Sequence, residues 1–371
     1  MSNRKIRILH VILFVDIGGL EKLVFEMGSF FINQGYEVEV LCLRSINSEY
    51  INNINEKIPV YLMRKSGRLD FSYHYRVAKF IRDKSFDVIH AHSGCFWDAS
   101  LFKLFSGVKR YIYTAHGLPL ENGIKAQCEN LIAGILADRI VAVSTEIEEV
   151  LRKSLFLSRS KISTIINGIN TDLFVPLHGD TEKQRLFKKY QLPSGHFLIG
   201  SVGRLAPEKN YAMLLYAFSE LIKKIEKTVS LLLVGDGPMK NELQRLAIKL
   251  SIEKNVIFMG IQHNVHEILP LFDVFVLPSF TEGTSISLLE AQSCGVPAVV
   301  TDVGGNGFVI IHGENGLLCS VDDIDAMAKH IEEILTDNQF ATYCALTARK
   351  RVKKLFSLKA MAHKYEQFYR G

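Results

Sequence analysis

The sequence has 371 residues, of which 48% are hydrophobic and 22% are charged, and its formal net charge is +5. This balance is typical of a globular protein and excludes a disordered chain, a collagen-like repeat and a disulfide-rich scaffold. At roughly 150 residues per domain, the length predicts two sizeable domains. The charge is too mild to predict a nucleic-acid partner, because proteins that bind nucleic acid usually carry a strongly basic stripe.

The start of the chain predicts neither export nor membrane insertion. Its apolar run is interrupted by His10 and ends at Asp16 without a small-residue cleavage site, so it indicates a strand rather than a signal peptide. No stretch approaches the roughly 18 apolar residues of a spanning helix. The six cysteines lie far apart without a CxxC pair, which favours a reduced cytoplasm and no metal site. We therefore expect a cytoplasmic protein.

Short apolar runs alternate with helical periodicity through the first half of the chain. Runs of this kind are typical of strands that are covered on both faces, and their alternation with helices predicts a parallel, doubly wound sheet. The predicted strands are Arg7–Val15, Val38–Leu43, Val60–Leu62, Asp87–Ala91, Arg110–Thr114, Arg139–Val143 and Ile162–Ile166. The predicted helices are Glu21–Gln34, Tyr73–Asp83, Trp97–Phe105 and Ala126–Ala137.

This alternation breaks over residues 167–195, which are rich in glycine and proline, and we place a domain boundary there. The predicted division is 1–175, 176–355 and a last helix, 356–371, that crosses back to the first domain. A second series of strands follows the break, and two such domains predict a ligand cleft at the carboxyl ends of their strands. The second series is Phe197–Val202, Ser230–Val234, Val256–Phe258, Val274–Leu277 and Ala298–Thr301, with closing helices over Ile324–Thr336 and Gln339–Tyr369.

A glycine pair follows the first predicted strand. Gly18 and Gly19 would let the backbone approach an anion or a sugar at a helix N-terminus, although a simple tight turn explains the pair equally well. The pattern is not GxGxxG, and no acidic residue closes the second strand. It therefore argues against a nicotinamide dehydrogenase.

Two cations follow the first strand of the second domain. They are Arg204, which comes directly after Gly203, and Lys209. The Arg204 side chain offers a planar fork to a phosphate, and the Lys209 side chain offers a point charge. In isolation the spacing also fits a solvated loop. The position at a strand end favours the ligand interpretation.

The most informative stretch runs from a buried strand through Glu282 and Gly283 to a helix that carries Glu290. Eight helical residues span roughly 12 Å, about the reach from a hexose across a diphosphate to a ribose. Carboxylates accept hydrogen bonds from vicinal hydroxyls, and amides at a helix N-terminus stabilise anionic oxygens. A solvated glutamate and a glutamate on a helix face are the simpler alternative.

Taken in order, these motifs resemble the retaining glycosyltransferases of family four, which have the GT-B architecture of two Rossmann-like doubly wound domains facing a central cleft. The resemblance covers nearly the whole chain. It rests on the glycine pair, Asn167-Gly168-Ile169, Gly203-Arg204 with Glu208-Lys209-Asn210, Gly235-Asp236-Gly237-Pro238, the Glu282/Glu290 pair, Asp302-Val303-Gly304-Gly305 and Asn315-Gly316.

The resemblance implies roles for individual residues. Arg204 and Lys209 would bind the donor diphosphate, Glu282 the hydroxyls of the donated sugar, and Glu290 the ribose. His116, at the end of a strand, would lie near the transferred sugar, so that the implied catalytic set is His116, Glu282, Arg204 and Lys209. The other implied donor-binding residues are Gly18, Gly19, Gly203, Gly283, Thr284, Ser285 and Ile286; His92 and Leu20 are candidates on the acceptor side.

The implied reaction moves a sugar from a nucleotide-diphosphate donor to a saccharide or lipid-linked acceptor, as in bacterial surface polysaccharide assembly. It needs no cofactor and no metal, because positioned cations and helix amides would stabilise the departing diphosphate. The obvious DxD, Asp323-Ile324-Asp325, is better explained by helix capping. Asn264, where many relatives have Asp, and the loop Gly283-Thr284-Ser285-Ile286 depart from the family pattern and leave the donor sugar open. UDP is favoured on family frequency alone. A GT-B epimerase or hydrolase without an acceptor, and a non-catalytic nucleotide-sugar-binding protein, are the alternatives.

A basic segment predicts where the first domain meets a membrane. Between residues 64 and 84 the chain has seven basic residues against Asp70 and Asp83, with aromatic residues between them. Such a helix can lie on anionic lipid, which would suit a peripheral protein at the inner face of the membrane. A solvated helix face is the alternative. The predicted patch is Arg64, Lys65, Arg68, Arg76, Lys79 and Arg82.

Overall fold

The computed structural model describes residues 4–16, 18–49, 51, 57–67, 70, 72–117, 124–155 and 159–371. The chain divides into two compact units: unit 1 is Met1–Gly168 with Leu358–Gly371, and unit 2 is Ile169–Ser357. The division thus falls after Gly168 rather than after residue 175. The reason is that the segment after Gly168 bonds to unit 2: the Ile169 amide donates to the Phe356 carbonyl, and the Phe174 carbonyl accepts from the Ser293 hydroxyl.

Unit 1 is built on a seven-stranded sheet in the order β3-β2-β1-β4-β5-β6-β7, in which every paired strand is parallel. The order changes direction between β1 and β4, which makes this pair the topological switch point. The strands are β1 (Arg7–Val15), β2 (Glu37–Ile46), β3 (Val60–Leu62), β4 (Val88–His92), β5 (Arg110–Ala115), β6 (Arg139–Ala142) and β7 (Ile162–Thr164).

Helices cover both faces of this sheet. Leu9 and Val11 of β1 pack in one core cluster with residues of α2 to α5, whereas Ile8 packs in another cluster with α1. Successive strand residues point to opposite faces, so an apolar run fills both cores. The helices are α1 (Gly19–Asn33), α2 (Tyr73–Asp83), α3 (Phe96–Ser106), α4 (Ile124–Leu136) and α5 (Thr145–Leu155).

Unit 2 repeats the plan with six parallel strands in the order β10-β9-β8-β11-β12-β13, so its switch point lies between β8 and β11. The strands are β8 (Phe197–Val202), β9 (Val229–Val234), β10 (Val256–Gly260), β11 (Val274–Leu277), β12 (Ala298–Thr301) and β13 (Leu317–Cys319). The helices are α6 (Asp180–Lys189), α7 (Tyr211–Ile222), α8 (Lys240–Lys249), α9 (Val265–Ile268), α10 (Ile286–Ser293), α11 (Asn306–Val309), α12 (Ile324–Thr336) and α13 (Asn338–Leu355).

The chain ends in α14 (Leu358–Arg370), which belongs to unit 1. Its buried residues Met361, Tyr365 and Tyr369 pack in the cluster that α1 also covers. Sequence periodicity extended one helix over Gln339–Tyr369, whereas the predicted division began a last helix at residue 356; the helix ends at Leu355 and a new one begins at Leu358, close to that division. The three-residue strand β13 was not predicted.

The prediction of two Rossmann-like α/β units on parallel sheets is confirmed. Among the described residues, no helix is both long and apolar enough to cross a membrane.

Candidate active site

The switch point of unit 2 brings together two segments that are distant in sequence. Gly203 and Arg204 follow β8, and Glu282 follows β11, which is the neighbour of β8 in the sheet. In doubly wound folds, ligands bind outside the carboxyl ends of the strands at this point. The two segments are joined by the Phe280 amide, which donates to the Glu208 carbonyl at 2.9 Å.

Lys209 and Glu282 form an ion pair at this edge. The Lys209 Nζ lies 2.6 Å from the Glu282 Oε1, and the Ser279 hydroxyl donates to the same oxygen at 2.6 Å. The Glu282 side chain is 8% exposed and the Lys209 side chain 22%, so the pair is partly shielded from water. The structure therefore places two of the predicted donor-binding residues in contact and adds Ser279, which sequence reasoning missed.

Arg204 is close to Lys209 in sequence, but its side chain does not bond to the ion pair. It is exposed, and its side chain makes no hydrogen bond or ion pair with the part of the chain that the structure describes. The guanidinium therefore has its five donors available for a ligand, in the fork geometry that suits phosphate oxygens.

Close backbone contacts explain the glycines at this edge. Gly235 has φ +135°, and a Cβ there would lie 2.0 Å from the Gly203 carbonyl oxygen. A Cβ on Gly305 would lie 2.0 Å from the Gly283 carbonyl oxygen, and the Gly305 amide donates to that oxygen at 2.8 Å. The loops after β8, β9, β11 and β12 are thus packed backbone to backbone, which only glycine allows.

The N-terminus of α10 adds backbone donors. Ser285 is the N-cap residue, and its hydroxyl accepts from the Leu288 amide at 3.4 Å. Within the described chain, the amides of Ile286 and Ser287 donate to no residue. Thr284 is buried next to this turn.

The two glutamates of the Glu282/Glu290 pair differ in their surroundings. Glu282 precedes α10, whereas Glu290 is its fifth residue and is 4% exposed. The pair therefore does not lie along one helix, and the 12 Å helical span that its spacing predicted does not describe it.

The switch point of unit 1 carries imidazoles instead. His92 ends β4 and His116 follows β5, and a hydrogen bond of 3.0 Å joins the His92 Nδ1 and the His116 Nε2. The His116 amide donates to the Ser93 hydroxyl at 2.7 Å. The structure therefore brings together the two histidines that sequence reasoning singled out.

His10 and His90 extend this cluster, and sequence reasoning assigned no role to His10. The His10 Nδ1 lies 3.0 Å from the His92 Nε2, and β1 aligns His10 with His90. The missed signal was the alternation of strand residues, because residues two apart lie on the same face of a sheet. His10 therefore shares a face with Ile8, and His90 and His92 share a face with Val88.

His90 forms its hydrogen bonds with hydroxyl groups rather than with the other histidines. Its Nδ1 lies 2.7 Å from the Tyr369 hydroxyl and its Nε2 2.8 Å from the Thr114 hydroxyl, which in turn lies 3.0 Å from the Tyr365 hydroxyl. Both tyrosines belong to α14. The last helix of the chain is therefore joined to the histidine cluster by hydrogen bonds.

Burial keeps these histidines neutral. It lowers the pKa of His10 to about 3 and that of His116 to about 4, and it lowers the pKa of His90 and His92 well below the ordinary value. No described carboxylate forms an ion pair with these four rings to oppose this effect. His10, His90 and His92 also offer ring nitrogens within 4.8 Å of one another, the one group in the described residues that could hold a metal ion.

The glycine pair of unit 1 lies at the start of α1. Gly18 is the N-cap residue, and a Cβ there would lie 2.3 Å from the Glu21 Oε2. The carboxylate of Glu21 thus already lies at this helix terminus, where burial raises its pKa. Gly19 is exposed, and Leu20 is half-buried against the neighbouring core.

Comparison with known proteins matches both units. The model for glycosyl transferases group 1 matches residues 182–351, and the model for glycosyltransferase family 4 matches residues 17–173. The chain belongs to glycosyltransferase family four. It is 25% identical to the UDP-Gal:alpha-D-GlcNAc-diphosphoundecaprenol alpha-1,3-galactosyltransferase of Escherichia coli, over 99% of this chain and 97% of that protein.

Other known proteins are similar to this glycosyltransferase in sequence or in structure. This chain is 27% identical to the N-acetyl-alpha-D-glucosaminyl L-malate synthase of Bacillus anthracis, over 95% of this chain and 94% of that protein. Among solved structures, Anabaena HepE in complex with UDP and glucose matches with a TM-score of 0.84 and 18% identity, over 98% of each chain. A glycosyltransferase from Rickettsia africae matches with a TM-score of 0.86 and 20% identity, over 99% of this chain and 98% of that one. The GT-B fold of the family is therefore established for this chain.

The basic segment of the glycosyltransferase is less open than its sequence predicted. Lys65 pairs with Asp98 at 3.0 Å and Arg76 with Asp70 at 2.8 Å, so these two charges are partly neutralised. Arg68 lies outside the described residues. Among the aromatic residues, Tyr73 is buried and Tyr75 is 58% exposed. The predicted basic residues that are exposed without an ion pair to the described chain are Arg64, Lys79 and Arg82.

The first aspartate of the DxD sequence caps a helix, as predicted. Asp323 is the N-cap residue of α12, and its carboxylate accepts from the Ala326 amide at 3.0 Å. This prediction is confirmed.

Proposed function

We propose that this glycosyltransferase moves a hexosyl or N-acetylhexosaminyl group, with retention of configuration, from a UDP-sugar to a saccharide or lipid-linked saccharide acceptor in bacterial surface polysaccharide biosynthesis. The contact between Lys209 and Glu282 carries the proposal, because it joins a cation suited to a phosphate and a carboxylate suited to sugar hydroxyls at one switch point. The name of the Escherichia coli relative, which specifies a UDP-sugar donor and a diphosphoundecaprenol acceptor, supports the same substrates.

The difficult step is the departure of the nucleoside diphosphate, on which negative charge develops. Arg204, Lys209 and the amides of Ile286 and Ser287 would stabilise that charge, as fixed donors do in many enzymes. Glu282 would accept hydrogen bonds from hydroxyls of the donated sugar, and Glu290 would bind the ribose. These groups supply the stabilisation without a metal or a cofactor.

Retention follows from transfer on one face of the sugar. The bond from the anomeric carbon to the phosphate oxygen breaks, the bond to the acceptor oxygen forms on the same face, and the departing phosphate takes the acceptor's proton. No protein nucleophile forms a covalent intermediate. His116, as a neutral imidazole, would orient a sugar hydroxyl.

A donor panel tests the proposal. The enzyme is incubated with UDP- and GDP-sugars, with and without bacterial lipid extract, and nucleotide release is measured. Release that requires the extract, with an α-linked product from an α-linked donor, supports retaining transfer. Release without extract indicates the hydrolase alternative, inverted stereochemistry at C2 the epimerase, and absence of release the non-catalytic protein.

Matched variants locate the site. Lys209→Met should lower kcat/KM for the donor about 10²-fold or more, because it removes the positive charge that would stabilise the departing diphosphate. Lys223→Met is the control, since Lys223 forms an exposed ion pair with Glu220 elsewhere in unit 2. Equal activity of the two variants would show that the phosphate assignment is wrong.

We propose further that unit 1 docks on anionic lipid. Helices α2 to α4 pack in sequence over one face of the sheet, and they expose both cations and large apolar side chains. Lys79 and Arg82 are exposed on α2, Leu104 and Phe105 on α3, and Ile135 is 60% exposed on α4. A surface that combines basic and apolar side chains suits a membrane interface.

Vesicle flotation tests this surface. Binding to phosphatidylglycerol vesicles should exceed binding to phosphatidylcholine vesicles, and it should weaken about tenfold or more when Lys79→Gln and Arg82→Gln are combined, at about 1 kcal/mol per cation. Lys223→Gln with Lys224→Gln, which removes two cations of unit 2, is the control. Equal flotation of the two double variants would refute docking through α2.

A further inference from the structure

The histidines of unit 1 include two buried rings, His10 and His92, for which the proposed reaction has no direct use. They are linked in a row: the His10 Nδ1 lies 3.0 Å from the His92 Nε2, and the His92 Nδ1 lies 3.0 Å from the His116 Nε2. His10 and His92 are at most 1% exposed, whereas His116 is half-buried. The row therefore leads from the core to the one ring that reaches the surface.

The direction of donation must be the same in both hydrogen bonds. A neutral imidazole has one N–H and one bare nitrogen, so a ring that accepts on one side donates on the other. A charged His92 could donate to both neighbours, but burial lowers its pKa well below the ordinary value and keeps the ring neutral. Only two arrangements remain: both bonds donate toward His116, or both donate toward His10.

The inner end of the row distinguishes these two arrangements. The His10 Nε2 is buried and has no hydrogen-bond partner among the described residues. Donation toward His10 would leave an N–H at this atom without an acceptor, whereas donation toward His116 leaves only a bare nitrogen. Unpaired buried N–H groups are rarer than unpaired acceptors, so donation toward His116 is favoured.

We propose that His10 and His92 are positioning residues that hold His116 as the Nδ1–H tautomer, so that His116 presents a hydrogen-bond donor to an oxygen of the sugar substrate. The identity of that oxygen rests on the proposed function; the tautomer does not. The Ser93 hydroxyl, which accepts from the His116 amide, fixes the backbone from which the ring extends.

A metal ion does not explain the cluster as well. Both nitrogens of His90 and both nitrogens of His92 already have hydrogen-bond partners, and only the His10 Nε2 is without one in the described chain. A metal bound by these three rings would have to displace the bonds that order them.

Nuclear magnetic resonance with ring-labelled histidine tests the tautomers without requiring turnover. Two-bond proton–nitrogen spectra of the full chain should show His10, His92 and His116 all protonated at Nδ1, with signals assigned by loss in single variants. Protonation of His116 at Nε2, averaging of its two nitrogens, or a stoichiometric metal bound by His10 and His92 would overturn the proposal.

Variants of His92 test the positioning role. His92→Phe removes the donor to His116, so its two tautomers should average and kcat should fall about tenfold with an unchanged KM for the donor. His92→Asn retains an amide donor near the Nδ1 position and should restore both the tautomer and kcat, which also distinguishes lost donation from lost packing. Failure of His92→Asn to restore the tautomer would refute the proposal.

Tyr365→Phe is the matched control. It removes one buried hydroxyl, which bonds Thr114 in the same layer, and it leaves the row of three rings intact. The three Nδ1–H signals should persist in this variant, and their loss would refute a separate row. If the tautomers are found as expected and the donor panel shows no turnover, the proposed function fails and the positioning inference stands.

Discussion

The two units share one plan and fill its switch point with opposite chemistry. Unit 1 places buried, neutral imidazoles between β1, β4 and β5, whereas unit 2 places the charged Lys209 and Glu282 and close-packed glycines after β8 and β11. Neutral donors and acceptors fix orientation, whereas charges stabilise a charged leaving group. The same topology therefore presents neutral hydrogen-bonding rings in one unit and a charged pair in the other.

The largest expected difference between the two units is a loss of stability of unit 1 at acidic pH. A histidine whose pKa is lower in the folded state binds its proton on unfolding, so its stabilisation is complete above about pH 6.5 and is lost as the pH falls toward the folded value. At about pH 5, the lowered pKa values of His10 and His116 should each reduce the free energy of unfolding by about 2 kcal/mol relative to pH 8. The lowered pKa values of His90 and His92 act in the same direction.

Urea unfolding at about pH 8 and pH 5 measures this loss. Trp97, the single tryptophan, lies on α3 and reports on unit 1 alone. His10→Phe should shrink the difference in unfolding free energy between the two pH values by about 2 kcal/mol. A Trp97 transition that is independent of pH over this range would refute the neutral state of the cluster.

Unit 2 depends instead on its glycines. Gly235→Ala should lower the stability of unit 2 by about 3 kcal/mol or more, because the new Cβ would lie 2.0 Å from the Gly203 carbonyl oxygen. Gly313→Ala is the control: Gly313 also has positive φ, but no atom lies within 4 Å of its Cβ position. Circular dichroism melts compare the two variants, and equal losses would mean that strain, not the contact between loops, makes Gly235 necessary.

A smaller effect is expected at the carboxylate itself. Ser279→Ala removes the hydroxyl that donates to the Glu282 Oε1 and should cost about 2 kcal/mol, as hydrogen bonds to charged groups do. Ser293→Ala, which removes a buried hydroxyl that bonds the Phe174 carbonyl, should cost about 1 kcal/mol. Chemical denaturation followed by circular dichroism gives both values; a larger loss for Ser293→Ala would contradict the charged character of the Glu282 bond.

Sequence patterns predicted the sheets well and the site only in part. The strands β1, β3, β8, β11 and β12 were predicted with the bounds that the structure shows, because short runs rich in β-branched and aromatic residues favour strands. His10, in β1, and Ser279, in the loop after β11, were missed because a lone polar residue carries no signal until the fold shows its neighbours. The contact between Lys209 and Glu282 joins residues 73 positions apart, which no local pattern reveals.

The smallest expected effect concerns the hydrogen bond between α14 and the histidine cluster of unit 1. Tyr369→Phe removes the hydroxyl that bonds the His90 Nδ1 and should cost about 1 kcal/mol, since both partners are neutral. The Trp97 transition should shift, because α14 completes the core of unit 1 that contains Ile8 and Val88. Tyr343→Phe, an exposed tyrosine of α13, should leave that transition unchanged. If Tyr369→Phe also leaves it unchanged, the hydrogen bond between Tyr369 and His90 does not stabilise unit 1, and the other contacts of α14 hold the last helix in place.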